Sequence, residues 1–256
     1  MTPTRIHTPT RPKPLSWLQR QRSNLLLAPP FFLSTGIFGT LALIASLGDK
    51  SGRLQHRIAR VWARACVLFS GSRLQVIGLE NIPAGTAVFA ANHTSYMDTP
   101  VVFASLPFQF RILAKKELLS LPFIGWYLDR SGQIPIDTAN PRSTLSSFAA
   151  GVRTLRDGLS VFVFPEGGRT ETGELQTFLN GAAFLAIRAQ VLLVPIALIG
   201  VHDLLPPHTK HFYPSRTPLK LVFGPPIPTA HHSIRESEAL TQELQQSIAS
   251  LIQQNS

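Results

Sequence analysis

TAVFAANHTSYMDTPVVFASL, residues 86–106, is the stretch on which the fold turns. A short apolar run over 86–91 ends abruptly in the polar segment Asn92-His93-Thr94-Ser95-Tyr96-Met97-Asp98, and an apolar helical pattern follows near 99–106. Strand, polar loop, helix is the unit from which α/β folds are built, and such folds carry reactive groups on loops beyond the strand ends. Outward from this unit the same alternation repeats. Further strands are expected at 74–77, 110–114, 133–136, 160–164, 191–198 and 219–223, and helices near 115–129, 142–157, 180–189 and 234–253. This pattern predicts an α/β sheet covered by helices, with Leu240, Leu244, Ile248 and Leu251 seating the last helix on the domain.

The chain has 256 residues, enough for one substantial core and a small appended element. Its 24 Lys and Arg against 14 Asp and Glu give a formal charge of +10, which calls for an anionic partner. With 44% apolar and only 15% charged residues, and no aromatics interleaved with the basic positions, that partner is a lipid surface and not nucleic acid. The single Cys66 lies in an apolar stretch and reads as core filler. Asn92-His93-Thr94 matches a glycosylation sequon by chance, since a strand-end site has no room for a glycan.

Residues 1–24 read as a basic disordered tail carrying Arg5, Arg11, Lys13, Arg20 and Arg22. Leu25 to Leu47 follows without a charge and as a helix would reach about 35 Å, against a hydrocarbon core of about 30 Å. It can cross a bilayer, or Pro29-Pro30 with Gly36 and Gly39 can break it into a re-entrant hairpin. Basic residues flank both ends, so charge sets no orientation, and the run is too long for a cleaved signal. Beyond it, Leu54, Ile58, Val61, Trp62, Ala65 and Leu68 alternate at helical spacing with Arg53, Arg57, Arg60 and Arg64, an amphipathic helix with a cationic stripe. The expected division is a tail over 1–24, a membrane-associating helical anchor over 25–70 and a catalytic domain over 71–256.

Two loops carry chemistry. If a turn brings His93 to Asp98, the carboxylate can orient one imidazole nitrogen while the other removes a hydroxyl proton. A plainer alternative is that Asp98 or Thr99 caps the helix with Pro100 in its first turn. Ser95 is a conceivable nucleophile, although direct attack by a substrate hydroxyl needs none. Phe164-Pro165-Glu166-Gly167-Gly168-Arg169-Thr170 also follows an apolar strand, and paired glycines beside an arginine suit a phosphate, although an ordinary Gly-Gly turn with a solvated arginine is the plainer reading of the motif alone.

Together these motifs resemble the glycerolipid acyltransferase family typified by 1-acyl-sn-glycerol-3-phosphate acyltransferase. Asn92, His93, Ser95 and Asp98 match its first motif, and FPEGGRT resembles its phosphate-binding motif, with Gly168 and Thr170 as mild departures. Gly78-Leu79-Glu80-Asn81-Ile82-Pro83, Ala114-Lys115-Lys116-Glu117-Leu118 and Val194-Pro195-Ile196 resemble further family blocks, so the resemblance runs from about residue 75 to 227. Two positions depart from it: Thr138 follows Asp137 where the family usually has an Arg, and Asn180 precedes Gly181 where a Lys is often found.

The resemblance implies a mixed sheet flanked by helices, with an N-terminal helical anchor. It implies that His93, oriented by Asp98, activates the acceptor hydroxyl for attack on the thioester of acyl-CoA or acyl carrier protein, yielding phosphatidic acid from a lysophospholipid acceptor. Arg169, Glu166, Gly167, Gly168, Lys115 and Arg142 are the residues expected to bind the substrate phosphate, and the Gly167 N–H is the candidate oxyanion donor. No metal and no cofactor is expected, although His93, Asp98, Glu166, His202 and Asp203 are residues of ligating type. Membrane phospholipid is the expected partner, and a bacterial inner membrane with the catalytic part facing the cytoplasm is the expected location. Glycerol 3-phosphate or another lysolipid is the alternative acceptor, and an inactive membrane-tethered lipid-binding protein is the alternative of another class.

Overall fold

The computed structural model describes residues 14–137, 139–214 and 217–256. The basic positions Arg5, Arg11 and Lys13, and the departure at Thr138, lie outside them. Seven strands form one mixed sheet: β1 (Leu74–Ile77), β2 (Ala87–Ala91), β3 (Phe110–Lys115), β4 (Ile134–Ile136), β5 (Ser160–Val163), β6 (Leu192–Ile199) and β7 (Leu219–Phe223). Their order is β1-β7-β6-β2-β5-β3-β4, parallel at every pairing except β6 with β7. Each expected strand is present to within a residue or two.

Alternating side chains assign the two faces of the sheet. Ala87, Phe89 and Phe162 point into one core, and Val88, Ala90, Val161 and Val163 into the other. Helices α3 (Arg53–Phe69) and α4 (Asp98–Ser105) cover the first face, while α6 (Pro141–Arg156), α7 (Gly181–Ala189) and α9 (Ser237–Asn255) cover the second. The remaining helices are α1 (Trp17–Gln21), α2 (Ala28–Ala45), α5 (Ile124–Arg130) and the short α8 (Val201–Leu204). The helix expected over 115–129 is divided into a 3-10 segment, Lys116–Ser120, and α5, because Pro122 cannot continue the ladder.

The N-terminus corrects two expectations. Residues 17–24 are helical, not tail: Ser16 opens α1 with a capping box, its hydroxyl accepting from the Gln19 N–H at 3.3 Å. The turn that follows is tethered to the globule, with the Phe212 N–H donating to the buried Ser23 hydroxyl at 2.8 Å. Pro29-Pro30 also do not fold the apolar segment into a hairpin. They sit in the first turn of α2, directly after a π-helical turn over Arg22–Leu27, where the ladder is already widened. The result is one apolar helix, Trp17–Ala45, long enough to cross a membrane, with 17% of its most apolar window buried. Its inner face packs on α3, where the Trp62 indole donates to Thr35 at 3.1 Å, and Gly39 lets it come close to Phe123.

Burial of apolar side chains on both faces of the sheet is expected to dominate stability. Leu244→Ala, at a fully buried position of α9, should lower the unfolding free energy by about 2–5 kcal/mol in urea titrations, whereas Leu145→Ala, at an exposed position, should cost less than about 0.5 kcal/mol.

Candidate active site

β2 and β5 are hydrogen-bonded neighbours running in the same direction, in the register Val88↔Val161, Phe89↔Phe162 and Ala90↔Val163. The loops that follow them therefore leave the sheet side by side. β3 is the next strand beyond β5, so Lys115 at its end joins the same edge.

The chain turns sharply after Asn92, whose side-chain amide pairs with both backbone groups of Leu198 on β6 at 2.8 and 2.9 Å. The turn closes on Asp98. Its Oδ2 accepts from the His93 ring Nδ1 at 2.8 Å and from the backbone N–H groups of Thr94 and Ser95 at 2.6 and 2.8 Å. Asp98 does not cap α4, whose N-cap position is Met97 without a side-chain hydrogen bond; the carboxylate orients His93 and ties down the N–H groups of the turn that precedes the helix. A carboxylate only accepts, so Nδ1 carries the proton and the lone pair of His93 is on Nε2. The ring is further fixed by stacking on Phe164 at 4.0 Å. Ser95 is not placed for nucleophilic attack: it is fully buried, and its hydroxyl donates to the Leu205 carbonyl at 2.7 Å.

Glu166 has a different task from the expected phosphate contact. Its Oε1 accepts from the backbone N–H of His93 at 2.7 Å and its Oε2 from that of Gln176 at 3.1 Å, so it clamps the two loops together. The Thr170 N–H completes the clamp by donating to the His93 carbonyl at 3.0 Å. Burial pushes the Glu166 carboxyl up to about 7, the nearby charge of Asp98 adds to this, and the two N–H donors oppose it.

Gly167 is also corrected. Its N–H donates to the Phe164 carbonyl at 3.1 Å and so is committed to the turn, not to an oxyanion. Its φ of +70°, with Leu179 2.9 Å from where a Cβ would stand, gives glycine a structural reason at this position. The cradle lies one step further on. Lys115 Nζ is 3.7 Å from the position of a Cβ on Gly168, and the N–H groups of Gly168 and Arg169 have no hydrogen-bond partner among the described residues. The Arg169 guanidinium lies 4.1 Å over the Tyr96 ring, with its buried Nε unpartnered. Burial holds this guanidinium somewhat below its usual pKa, partly offset by Tyr96 and Asp98. Arg142, by contrast, is exposed at the first turn of α6 and makes no hydrogen bond or ion pair to either loop. Asn180 caps α7 by position but without a side-chain hydrogen bond. Sequence reasoning missed Tyr96 and Phe164, which read as a spacer and a strand residue; the aromatic character of both was the available signal.

The buried carboxyl of Glu166 makes stability depend on pH. Because its folded pKa is raised, its contribution to stability is fully present below about 4.5 and is lost as pH rises toward 7, on the order of 3 kcal/mol. Glu166→Gln should abolish that slope in urea unfolding measured between pH 4 and 8. It should also loosen the clamp, because an amide oxygen accepts but its NH2 cannot accept from the second backbone N–H.

The acyltransferase family model matches residues 73–199. Over 156 residues the chain is 33% identical to the chloroplastic 1-acyl-sn-glycerol-3-phosphate acyltransferase LPAT1 of Arabidopsis thaliana, which covers 60% of this chain and 43% of that protein. Over 170 residues it is 33% identical to the 1-acyl-sn-glycerol-3-phosphate acyltransferase of Pseudomonas aeruginosa, covering 64% of this chain and 65% of the relative. The match thus spans between 43% and 65% of the length of these relatives. The crystal structure of the 1-acyl-sn-glycerophosphate acyltransferase PlsC from Thermotoga maritima shares the fold, with a TM-score of 0.75 at 22% identity over 90% of this chain and 95% of that one. Residues 73–199, which contain both loops and Lys115, belong to the acyltransferase family.

Proposed function

We propose that this protein transfers a fatty acyl group from a thioester, acyl-CoA or acyl carrier protein, to the free sn-2 hydroxyl of 1-acyl-glycerol 3-phosphate. The observation that carries the reading is the 2.8 Å contact between His93 and Asp98, beside a cradle formed by Lys115, Gly168 and Arg169. A phosphate held by the two cations would keep the glycerol within reach of His93 Nε2. The relatives named above, described as acting on 1-acyl-sn-glycerol 3-phosphate, support the choice of acceptor.

In this scheme His93 Nε2 takes the proton from the acceptor hydroxyl as its oxygen attacks the thioester carbonyl. Asp98 stabilises the imidazolium through Nδ1–H. The tetrahedral intermediate collapses by breaking the carbon–sulfur bond, and the imidazolium returns the proton to the departing thiolate. The products are an ester, giving phosphatidic acid, and a free thiol. Neither a metal nor a covalent acyl-enzyme enters the scheme.

The exposed face of the apolar helix supports membrane association, since Phe32, Leu33, Ile37, Leu41 and Ile44 all face outward. On this reading the chain works at the cytoplasmic face of a bacterial inner membrane.

Acyl transfer into lysophosphatidic acid, followed with labelled donor, tests the reading. His93→Ala is expected to lower kcat about 100- to 10,000-fold, and transfer undiminished by that change would overturn the mechanism. Arg169→Ala is expected to raise KM for lysophosphatidic acid roughly 10- to 100-fold while leaving transfer to an uncharged monoacylglycerol unaffected. Activity confined to glycerol 3-phosphate or lysophosphatidylcholine would keep the chemistry and reject the acceptor.

A further inference from the structure

A second cationic site lies at the other end of α4 from Asp98. The N-terminal half of α3 and the Pro107–Gln109 connection into β3 border an open groove of about 330 Å³, with Arg53, Arg57 and Arg60 along one side and His56 between them. α4 is eight residues long, so this groove is separated from the His93 turn by about 12 Å of helix. It is no part of the acceptor cradle.

The groove is built for an anion that the protein itself does not supply. The sequence contains no Asp or Glu between Lys50 and Leu79, nor between Thr99 and Lys116, so neither wall carries a carboxylate. Asp49 is the acid whose charge reaches Arg53, but it is occupied in starting α3: Oδ1 accepts from Ser51 at 2.9 and 2.6 Å, and Oδ2 accepts from the Leu54 N–H at 2.6 Å. Arg53 and Arg57 form no ion pair among the described residues. Arg60 is held in place by donating Nη1–H to the Pro107 carbonyl at 3.2 Å, while its Nε–H is buried without a partner. Behind them Arg111 is nine-tenths buried, donates Nη2–H to Ser51 at 3.0 Å and leaves Nη1 unpartnered. Like charges gathered this closely, with no acid on either wall, attract an anion.

The flank of the groove identifies the ligand. Beside the arginines, at seven-residue spacing, Leu54, Val61 and Leu68 form an apolar stripe on α3 with 46%, 50% and 72% exposure. This helix packs on α2, whose outward face is apolar as described above. A soluble nucleotide or an acidic protein surface has no use for that stripe. A phospholipid has: its phosphate meets the arginine forks while its acyl chains lie along the leucine side.

We propose that the groove between α3 and Pro107–Gln109 is a binding site for the phosphate of an anionic membrane phospholipid, distinct from the site where acyl transfer takes place. Such a lipid fixes the rotational setting of α3 on the bilayer. The proposal does not depend on the catalytic reading.

Flotation of the full chain with vesicles tests it, using phosphatidylcholine alone or doped with phosphatidylglycerol, at low and high salt. The wild type should prefer the doped vesicles, and Arg53→Gln/Arg57→Gln, which leaves the structurally tethered Arg60 in place, should lose roughly five-fold of that preference per arginine. A charge-matched control, Arg153→Gln/Arg156→Gln on exposed positions of α6, should keep it. Circular dichroism and the thermal midpoint confirm that each variant is folded. Equal loss in both variants would reduce the groove to general surface charge and overturn the proposal. So would displacement from the vesicles by millimolar inorganic phosphate or coenzyme A that depends on the same arginines, since the site would then take a soluble phosphate.

Discussion

The parallel pairing of β2 with β5 is the contact on which the chemistry rests. Val88 and Val161 are far apart in sequence, yet their register sends the His93 and Glu166 loops out of the same edge of the sheet. A slip of one residue would turn the aromatic side chain of the slipped strand, Phe89 or Phe162, into the opposite core and carry His93 out of reach of Glu166. The register is therefore enforced by burial on both faces: aromatic residues fill one layer, and Val and Ala fit beneath α6, α7 and α9 on the other. Packing that has nothing to do with chemistry thus determines the separation of the reacting groups.

Within the site, backbone N–H groups and not cations hold the buried acids. Asp98 takes two from the turn it closes, and Glu166 takes one from each loop. Each carboxylate is thereby used to shape the segment that surrounds it. The cations make no ion pair to these acids: Arg169 lies half-buried over the Tyr96 ring, and Lys115 is exposed at the end of β3. This division leaves an anionic interior that orients the imidazole and a cationic rim that suits a phosphate. Glu166, although next to the glycines, has both of its oxygens engaged by backbone N–H groups.

Charge placement separates two surfaces of the same molecule. The rim cations belong to loops at the strand ends, whereas Arg53, Arg57 and Arg60 belong to a helix beside the apolar anchor. The first group lies close to acids that counterbalance it; the second has none on either wall.

Much of this was written in local pattern. The strand positions, the amphipathic α3 and the residues of both loops follow from hydrophobic period and residue type, because those properties are set by a few neighbouring residues. Where local pattern misled, a distant partner was responsible. Residues 17–24 are polar enough to read as tail, but Phe212 and Ser23 draw them into helix against the globule. Pro29-Pro30 look like a break until the preceding π-turn accommodates them. Gly167 offers an N–H to an oxyanion on paper, and the turn to Phe164 takes it. The sequence by itself determined which residues can do acid–base and anion chemistry, since that is a property of side chains and their spacing. Only the tertiary structure decided which of them meet, because Glu166 reaches His93, and Lys115 reaches Gly168, through strand order across the sheet, and strand order is a long-range choice that no local period encodes.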